Sequence, residues 1–120
     1  MTRLFYTFLF IGTAGLSDTK AQLYVNGNPI DSATVYCQLF CQNVTPLLPA
    51  RVAIDYGQPF QLYRALRRQK ITGPDKKPVF FESAAGALNF MDRNGWELVS
   101  FQTNLSTYTY LLRRRPPLRR

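Results

Sequence analysis

The stretch that decides the fold is residues 83–113, SAAGALNFMDRNGWELVSFQTNLSTYTYLLR. It predicts a short helix, a glycine stop and two antiparallel strands joined by a turn. Ser83 suits the N-cap, because its hydroxyl can accept hydrogen bonds from the open amides of the first helical turn. Gly95 can adopt the left-handed conformation that ends a helix, and Trp96 then begins the first strand. The unit predicts a helix packed against a hairpin.

The spacing of apolar residues indicates which faces of this unit are buried. In the helix, apolar residues at i, i+1, i+4 and i+7 form one face. Its members are Ala84, Ala85, Leu88 and Met91. In the first strand, side chains alternate between two faces. One face holds Trp96, Leu98, Ser100 and Gln102, and the other holds Glu97, Val99, Phe101 and Thr103. Residues 107–112 alternate tyrosine, threonine and leucine, which predicts the return strand.

The preceding residues add further strands. Residues 33–44 alternate, with Val35, Cys37, Leu39 and Cys41 on one face. Residues 51–56 predict a second short strand, and residues 71–81 a small hairpin around a Gly-Pro-Asp-Lys turn. Residues 60–70 are ambiguous, because their near-helical spacing falls in a short, basic segment. The predicted fold class is α+β, an antiparallel sheet of about four to five strands with one helix packed on a face.

The N-terminus has the pattern of a signal peptide. Arg3 precedes a mostly apolar run over residues 4–16, and Ala21 ends a plausible cleavage motif. We expect export with removal of residues 1–21, and therefore a periplasmic or secreted protein. An N-terminal core strand or an uncleaved anchor is the alternative, although the run is shorter than the roughly 20 apolar residues of a spanning helix.

Positive charge is concentrated at the other end of the chain. The net charge is +8, and the domain predicted over residues 22–113 is followed by a basic tail over residues 114–120. The candidate anion-binding residues are Arg113, Arg114, Arg115, Arg119 and Arg120. They could contact phosphates of lipopolysaccharide, lipid or nucleic acid, in a salt-dependent way. Export argues against nucleic acid. A tail that is merely solvated is the alternative.

The chain is poor in residues for catalysis or metal binding. It contains no histidine, which removes the commonest general base and a common metal ligand. We therefore predict no cofactor, no metal site and no enzymatic activity; a hydrolase using Asp55 and Glu97 is the alternative. Cys37 and Cys41 are predicted to be buried thiols, because four residues of strand span about 13 Å and bridged Cα atoms lie about 4.4–6.8 Å apart. A bridge between chains, or a local one if the strand prediction is wrong, stays open.

The order of elements carries a resemblance. A VAIDYG strand, a KITGPDKKPVFF hairpin, an SAAGALNFMDRNGWELV helix and strand, and a TYTYLLRR strand follow one another. This order resembles a group of small exported proteins of unknown function from Bacteroidetes, over residues 34–114 and most specifically over residues 87–99. The resemblance implies a fold but no activity, cofactor or catalytic residue. Asp31-Ser32-Ala33 also matches the short O-glycosylation pattern of Bacteroidetes, which makes Ser32 a candidate glycosylation site.

These observations predict an exported, non-enzymatic interaction or structural module. Its partner would be an unknown envelope protein or a second copy, bound through strand edges and the aromatic sheet face. The alternative function is binding of an anionic polymer or membrane through the arginine tail.

Overall fold

The computed structural model describes residues 22–30, 32–42, 49–104 and 106–116. These ranges contain seven strands and two helices. The strands are β1 (Tyr24–Val25), β2 (Asn28–Pro29), β3 (Tyr36–Gln42), β4 (Arg51–Asp55), β5 (Ile71–Thr72), β6 (Trp96–Asn104) and β7 (Thr107–Arg114). The helices are α1 (Leu62–Arg68) and α2 (Ala84–Arg93). The α+β class is confirmed, and the predicted signal peptide over residues 1–21 lies outside the described residues.

The larger sheet has four antiparallel strands in the order β4-β3-β7-β6. Strand β3 alternates as predicted, with Cys37, Leu39 and Cys41 buried. Leu112 and Tyr110 lie opposite Cys37 and Leu39 on the same face. This face forms one wall of the core, and α2 closes that core by contacting β6.

Helix α2 begins and ends where local chemistry predicts. The Ser83 hydroxyl accepts a hydrogen bond from the Gly86 amide at 3.1 Å, and Gly95 has a φ of 92°. The predicted buried face is partly wrong. Ala87, Phe90 and Met91 are the buried residues of the helix, whereas Ala85 is exposed. The face is set by tertiary contacts, chiefly Phe90 packing edge-on against Phe81 at 5.3 Å.

A β-bulge divides β6. The register against β7 shifts between Leu98 and Ser100, so Val99 is an extra residue on the β6 side. The predicted alternation is therefore wrong beyond the bulge. Phe101 lies opposite Tyr110, on the same face of the sheet as Leu98.

A second sheet and a second helix complete the fold, so the prediction of one sheet and one helix was incomplete. The sheet is antiparallel in the order β2-β1-β5. Asn26 and Gly27 join β1 to β2 with φ angles of 53° and 83°, as a tight primed turn requires. Strand β5 pairs with β1 on one side. On its other side the hairpin predicted over residues 71–81 is present in short form, because Thr72 and Pro78 form an antiparallel bridge and the Val79 amide donates to the Ile71 carbonyl at 2.9 Å.

Helix α1 resolves the ambiguous segment. The Gln61 side chain caps it by accepting from the Arg64 amide, and the helix contacts β4 and β3. Just ahead of α1, Phe60 stacks on Phe40 at 5.4 Å. Phe40 lies on the face of β3 opposite the buried cysteines, so this segment covers part of the outer face of the sheet.

The two edges of the larger sheet differ. On β4, the Gln69 side chain accepts from the Ile54 amide at 2.6 Å and donates to the Ile54 carbonyl at 3.0 Å. Ala50, just before β4, forms a bridge with Phe81. The opposite edge is β6, and within the described ranges no strand pairs with its outer side. The sheet therefore has one occupied edge and one open edge.

Candidate functional site

The two carboxylates that the sequence proposed for catalysis lie far apart. Asp55 is on β4 and Glu97 on β6, at opposite edges of the sheet with two strands between them. Three inter-strand spacings amount to about 14 Å, more than the roughly 5–9.5 Å between the carboxyl groups of glycosidases. Each also has a local partner. Asp55 accepts from the Gly57 amide at 3.0 Å, and Glu97 pairs with Arg113 at 2.6 Å. The fold does not bring these carboxylates together.

The first three arginines of the predicted anion-binding set are engaged within the domain. Arg113 pairs with Glu97, and Arg115 pairs with Asp92 at 2.6 Å. The hydrogen bond to Glu97, reinforced by its charge, raises the pKa of Arg113. Strand β7 continues through Arg114, one residue past the predicted domain boundary. These contacts attach the end of β7 to β6 and α2.

Arg114 is held by a different kind of contact. Its guanidinium lies 4.6 Å from the centre of the Trp96 ring and its Nε donates to the Thr34 carbonyl at 2.8 Å. Arg119 and Arg120 lie outside the described residues. Anion binding by the arginine tail stays a prediction. Carboxylates of the domain already balance part of the positive charge of the predicted anion-binding arginines.

Ser32, the candidate glycosylation site, lies in an exposed turn ahead of β3. Its exposure is what a modifying enzyme requires. Its modification stays a prediction.

The two cysteines have free thiols and are buried on the core face of β3. Burial raises the pKa of each thiol from 9.0 to about 12. For Cys37, the positive charge of Arg114 partly opposes this effect. Both thiols are therefore protonated at neutral pH and pack as small apolar groups. Among the described residues, no three His, Cys, Asp or Glu side chains lie close enough together to bind a metal ion.

Exposed apolar side chains lie along the open edge strand β6. We define the β6 surface as residues 98–104, all seven of which are exposed. Leu98 and Phe101 are 49% and 61% accessible, and Phe101 stacks on Tyr110 at 5.8 Å. The segment contains no charged residue and no proline, the usual features that prevent an edge strand from pairing. The β6 surface therefore combines an edge that no described strand pairs with and exposed apolar side chains.

Two grooves flank α1. One, of about 360 Å³, lies beside Val52, Ile71 and Phe80, and the Phe80 side chain is 86% exposed. The other, of about 350 Å³, is lined by side-chain amides together with Arg64 and Arg68. Sequence reasoning noted the cations of residues 60–70 but did not treat them as a site. The available indication was their density, four cations in seven residues without a carboxylate.

No helix within the described part of the chain has the length and apolar character needed to cross a membrane. Comparison with known proteins adds no functional residue to this chain. The candidate sites are therefore the paired arginines, the β6 surface and the two grooves. No family model matches the chain, and neither a curated protein nor a solved structure does.

Proposed function

We propose that this protein is an exported, periplasmic or secreted, non-enzymatic interaction module that associates with a second copy of itself through β6. We also propose that this protein is related to the small exported Bacteroidetes proteins that its sequence resembles. The observation that carries it is the β6 surface, an uncharged edge strand with exposed apolar side chains. Main-chain hydrogen bonds at such an edge supply affinity for another strand, and side chains supply the register.

The bulge sets the register of this pairing. Beyond Val99, the regular run of β6 is residues 100–104. Two such runs overlap fully in an antiparallel arrangement only when Gln102 lies opposite Gln102 of the second copy. Ser100 then lies opposite Asn104, and Phe101 opposite Thr103, on the face where Phe101 also stacks on Tyr110. An aromatic side chain beside a β-branched one is a favourable cross-strand pair.

Charge favours this antiparallel arrangement over a parallel one. Arg113, Arg114 and Arg115 lie beside the first residues of β6, five positions from Gln102. At about 3.4 Å per residue, an antiparallel pair separates the two arginine groups by about 34 Å, several times the Debye length of about 8 Å at physiological salt. A parallel pair would bring the two groups side by side. Because Glu97 and Asp92 already balance Arg113 and Arg115, this electrostatic preference for the antiparallel orientation is small.

Disulfide trapping tests both the partner and the register. In the proposed dimer, Gln102 of each copy lies opposite itself, within the range of about 4.4–6.8 Å that a bridge requires between Cα atoms. Gln102→Cys should therefore form a covalent dimer on mild oxidation. Ser100→Cys is the matched control, because its two copies would lie about 13 Å apart along the strands. Buried Cys37 and Cys41 can stay in place.

A mixture of Ser100→Cys and Asn104→Cys chains should form a bridged dimer, because these two positions face each other across the interface. Equal trapping of the Ser100→Cys and Gln102→Cys chains, or a purely monomeric wild type in sedimentation velocity at high concentration, would refute self-pairing through β6. Fractionation of cells tests the separate proposal of export. Recovery of the full-length chain in the cytosol would contradict that part.

A further inference from the structure

The groove of about 350 Å³ beside α1 is built from two parts of the fold that are far apart in sequence. Asn26 and Asn28 come from the N-terminal hairpin, and Arg64 and Arg68 come from α1. The segment between β4 and α1 supplies the floor, including Tyr56 and Phe60. The hairpin is fixed against the end of α1 because the Asn26 amide donates to the Lys70 carbonyl at 2.7 Å. The groove is thus a defined concavity of a size that accommodates a small ligand.

Structural hydrogen bonds engage the side-chain oxygens of four of the five amide residues that line this groove, Asn28 being the fifth. The Asn26 side-chain oxygen accepts from the Lys70 amide at 2.9 Å, and the Gln61 side-chain oxygen accepts from the Arg64 amide at 2.7 Å. The amide groups of Gln58 and Gln69 are both bonded to backbone groups near Ile54. The amide nitrogens of Asn26 and Gln61 remain as donors, and the two guanidinium groups can only donate. The groove therefore offers a ligand mainly donors.

The charge of the groove agrees with its hydrogen bonding. No carboxylate is among the described residues that line it. Within the described ranges, neither Arg64 nor Arg68 forms an ion pair. In this respect they differ from Arg113 and Arg115, whose guanidinium groups are already held by carboxylates. Among the described residues, the positive charges of Arg64 and Arg68 are therefore not balanced by an ion pair.

The spacing of the two arginines indicates the kind of anion. Residues four apart on a helix have Cβ atoms about 5–6 Å apart, so both guanidinium groups can reach one ligand group. Each can donate two parallel hydrogen bonds. A carboxylate has two oxygens, and one guanidinium group that donates two hydrogen bonds engages both of them. A phosphate monoester has three terminal oxygens, so it can accept hydrogen bonds from both guanidinium groups. Two arginines at this spacing therefore favour phosphate.

We propose that the groove between α1 and the N-terminal hairpin binds a phosphate monoester through Arg64 and Arg68. The phosphate can belong to a small sugar phosphate or to a lipid headgroup, since the chemistry at the arginines is the same. This site is independent of the β6 surface. It also differs from anion binding by the arginine tail, because it requires none of residues 113–120.

Calorimetric titration with glucose 6-phosphate, and co-sedimentation with vesicles containing phosphatidic acid, test the two sources. Glucose and vesicles of neutral phosphatidylcholine are the uncharged controls. The double variant Arg64→Gln/Arg68→Gln should lower the affinity for the phosphate probe by about tenfold or more, which corresponds to about 1.4 kcal/mol. Arg67→Gln is the matched control for the single variant Arg68→Gln, since each removes one positive charge from α1 and Arg67 does not line the groove. It should change the affinity by less than about twofold.

Saturable binding to either probe, lost in the double variant and retained in Arg67→Gln, supports the site and identifies the source. Equal losses in Arg68→Gln and Arg67→Gln would show only general charge attraction and would overturn the proposal. Absence of saturable binding to both probes at about 10 mM phosphate, a free energy near 3 kcal/mol, would also overturn it. Unfolding midpoints verify that each variant is folded. If the double variant is unfolded, the single variant Arg68→Gln takes its place, with a loss of at least about threefold expected.

Discussion

Replacing Cys37 and Cys41 with alanine should flatten the loss of stability that the wild-type chain suffers at alkaline pH. Both thiols are buried on β3, with at most 2% of either residue accessible to solvent. Burial raises the pKa of each from 9.0 to about 12. A thiolate is therefore disfavoured in the folded protein and freely formed in the unfolded chain.

The sign and size of the effect follow from proton linkage. Above pH 9 the unfolded chain has lost the two thiol protons and the folded protein still holds them, so stability falls as pH rises. The contribution is fully present below pH 9 and is lost progressively as pH rises towards 12. Between pH 8 and pH 10, the loss should be between about 1 and 2 kcal/mol for each thiol, and about 3 kcal/mol for both. Burial also raises the pKa of Tyr110, with a smaller contribution from Cys41. Because Tyr110 is present in both proteins, the larger part of its effect cancels.

Urea denaturation at pH 8, 9 and 10, followed by circular dichroism under reducing conditions, measures the difference. At pH 8 the variant should be less stable than the wild type, because truncating buried side chains leaves small cavities. The informative quantity is the change in unfolding free energy between pH 8 and pH 10, compared between the two proteins. Single variants at Cys37 and Cys41 should each recover about half of the difference.

Parallel decreases in the wild type and the double variant would refute the reasoning, because they would show that the thiols ionise equally easily in both states. Rapid reaction of both thiols of the folded wild type with a thiol reagent at pH 8 would also contradict their burial.

Three further substitutions test local features by urea denaturation. Ser83→Ala should cost about 1 kcal/mol by removing the cap of α2, and Ser83→Asp should retain most of the stability; equal losses would contradict a capping role. Gly95→Ala should cost about 1–2 kcal/mol from backbone strain alone, because the space around its Cα is open; an unchanged midpoint would show that the left-handed conformation is not required. Gln69→Ala should cost about 1–3 kcal/mol and accelerate hydrogen exchange at the Ile54 amide, and unaltered exchange there would contradict the edge contact.

The part of the fold that could be predicted is the part governed by local chemistry. The N-cap at Ser83 and the stop at Gly95 each depend on a few adjacent residues, and both are confirmed. The alternation of β3 also survives, because its period-two pattern is uninterrupted. In β6, by contrast, no glycine or proline marks Val99 as the bulge, so simple alternation places Phe101 on the wrong face.

Long-range contacts account for the remaining differences. Strand β5 pairs with β1, and the paired residues Val25 and Ile71 are 46 positions apart in the chain. The pattern within either segment cannot predict this pairing. The β1–β2 turn was not predicted, although the Asn26-Gly27 dipeptide is a typical signal for a tight hairpin turn at the start of the domain. Helix α1 is capped by Gln61, a residue outside the preferred N-cap types, so the usual indication was missing.

The candidate sites show the same limit. The sequence located the positive charge of Arg113 and Arg115 correctly but could not show that Glu97 and Asp92 balance it. It registered Arg64 and Arg68 as a basic segment, whereas the groove exists only because the N-terminal hairpin lies against α1. Which charges are available to a ligand is a property of the packed structure.

The Gln69 side chain has a consequence for how many copies can assemble. By holding both backbone groups of Ile54, it makes β4 a poor template for an incoming strand, and the bridge between Ala50 and Phe81 extends this protection. A filament built by strand pairing needs two edges on each subunit that can pair with other strands. A subunit with one such edge forms a closed dimer, because the edge of each copy is occupied by the other. In the proposed pairing, assembly through β6 therefore stops at two copies, and higher concentration should fill the dimer without producing larger species.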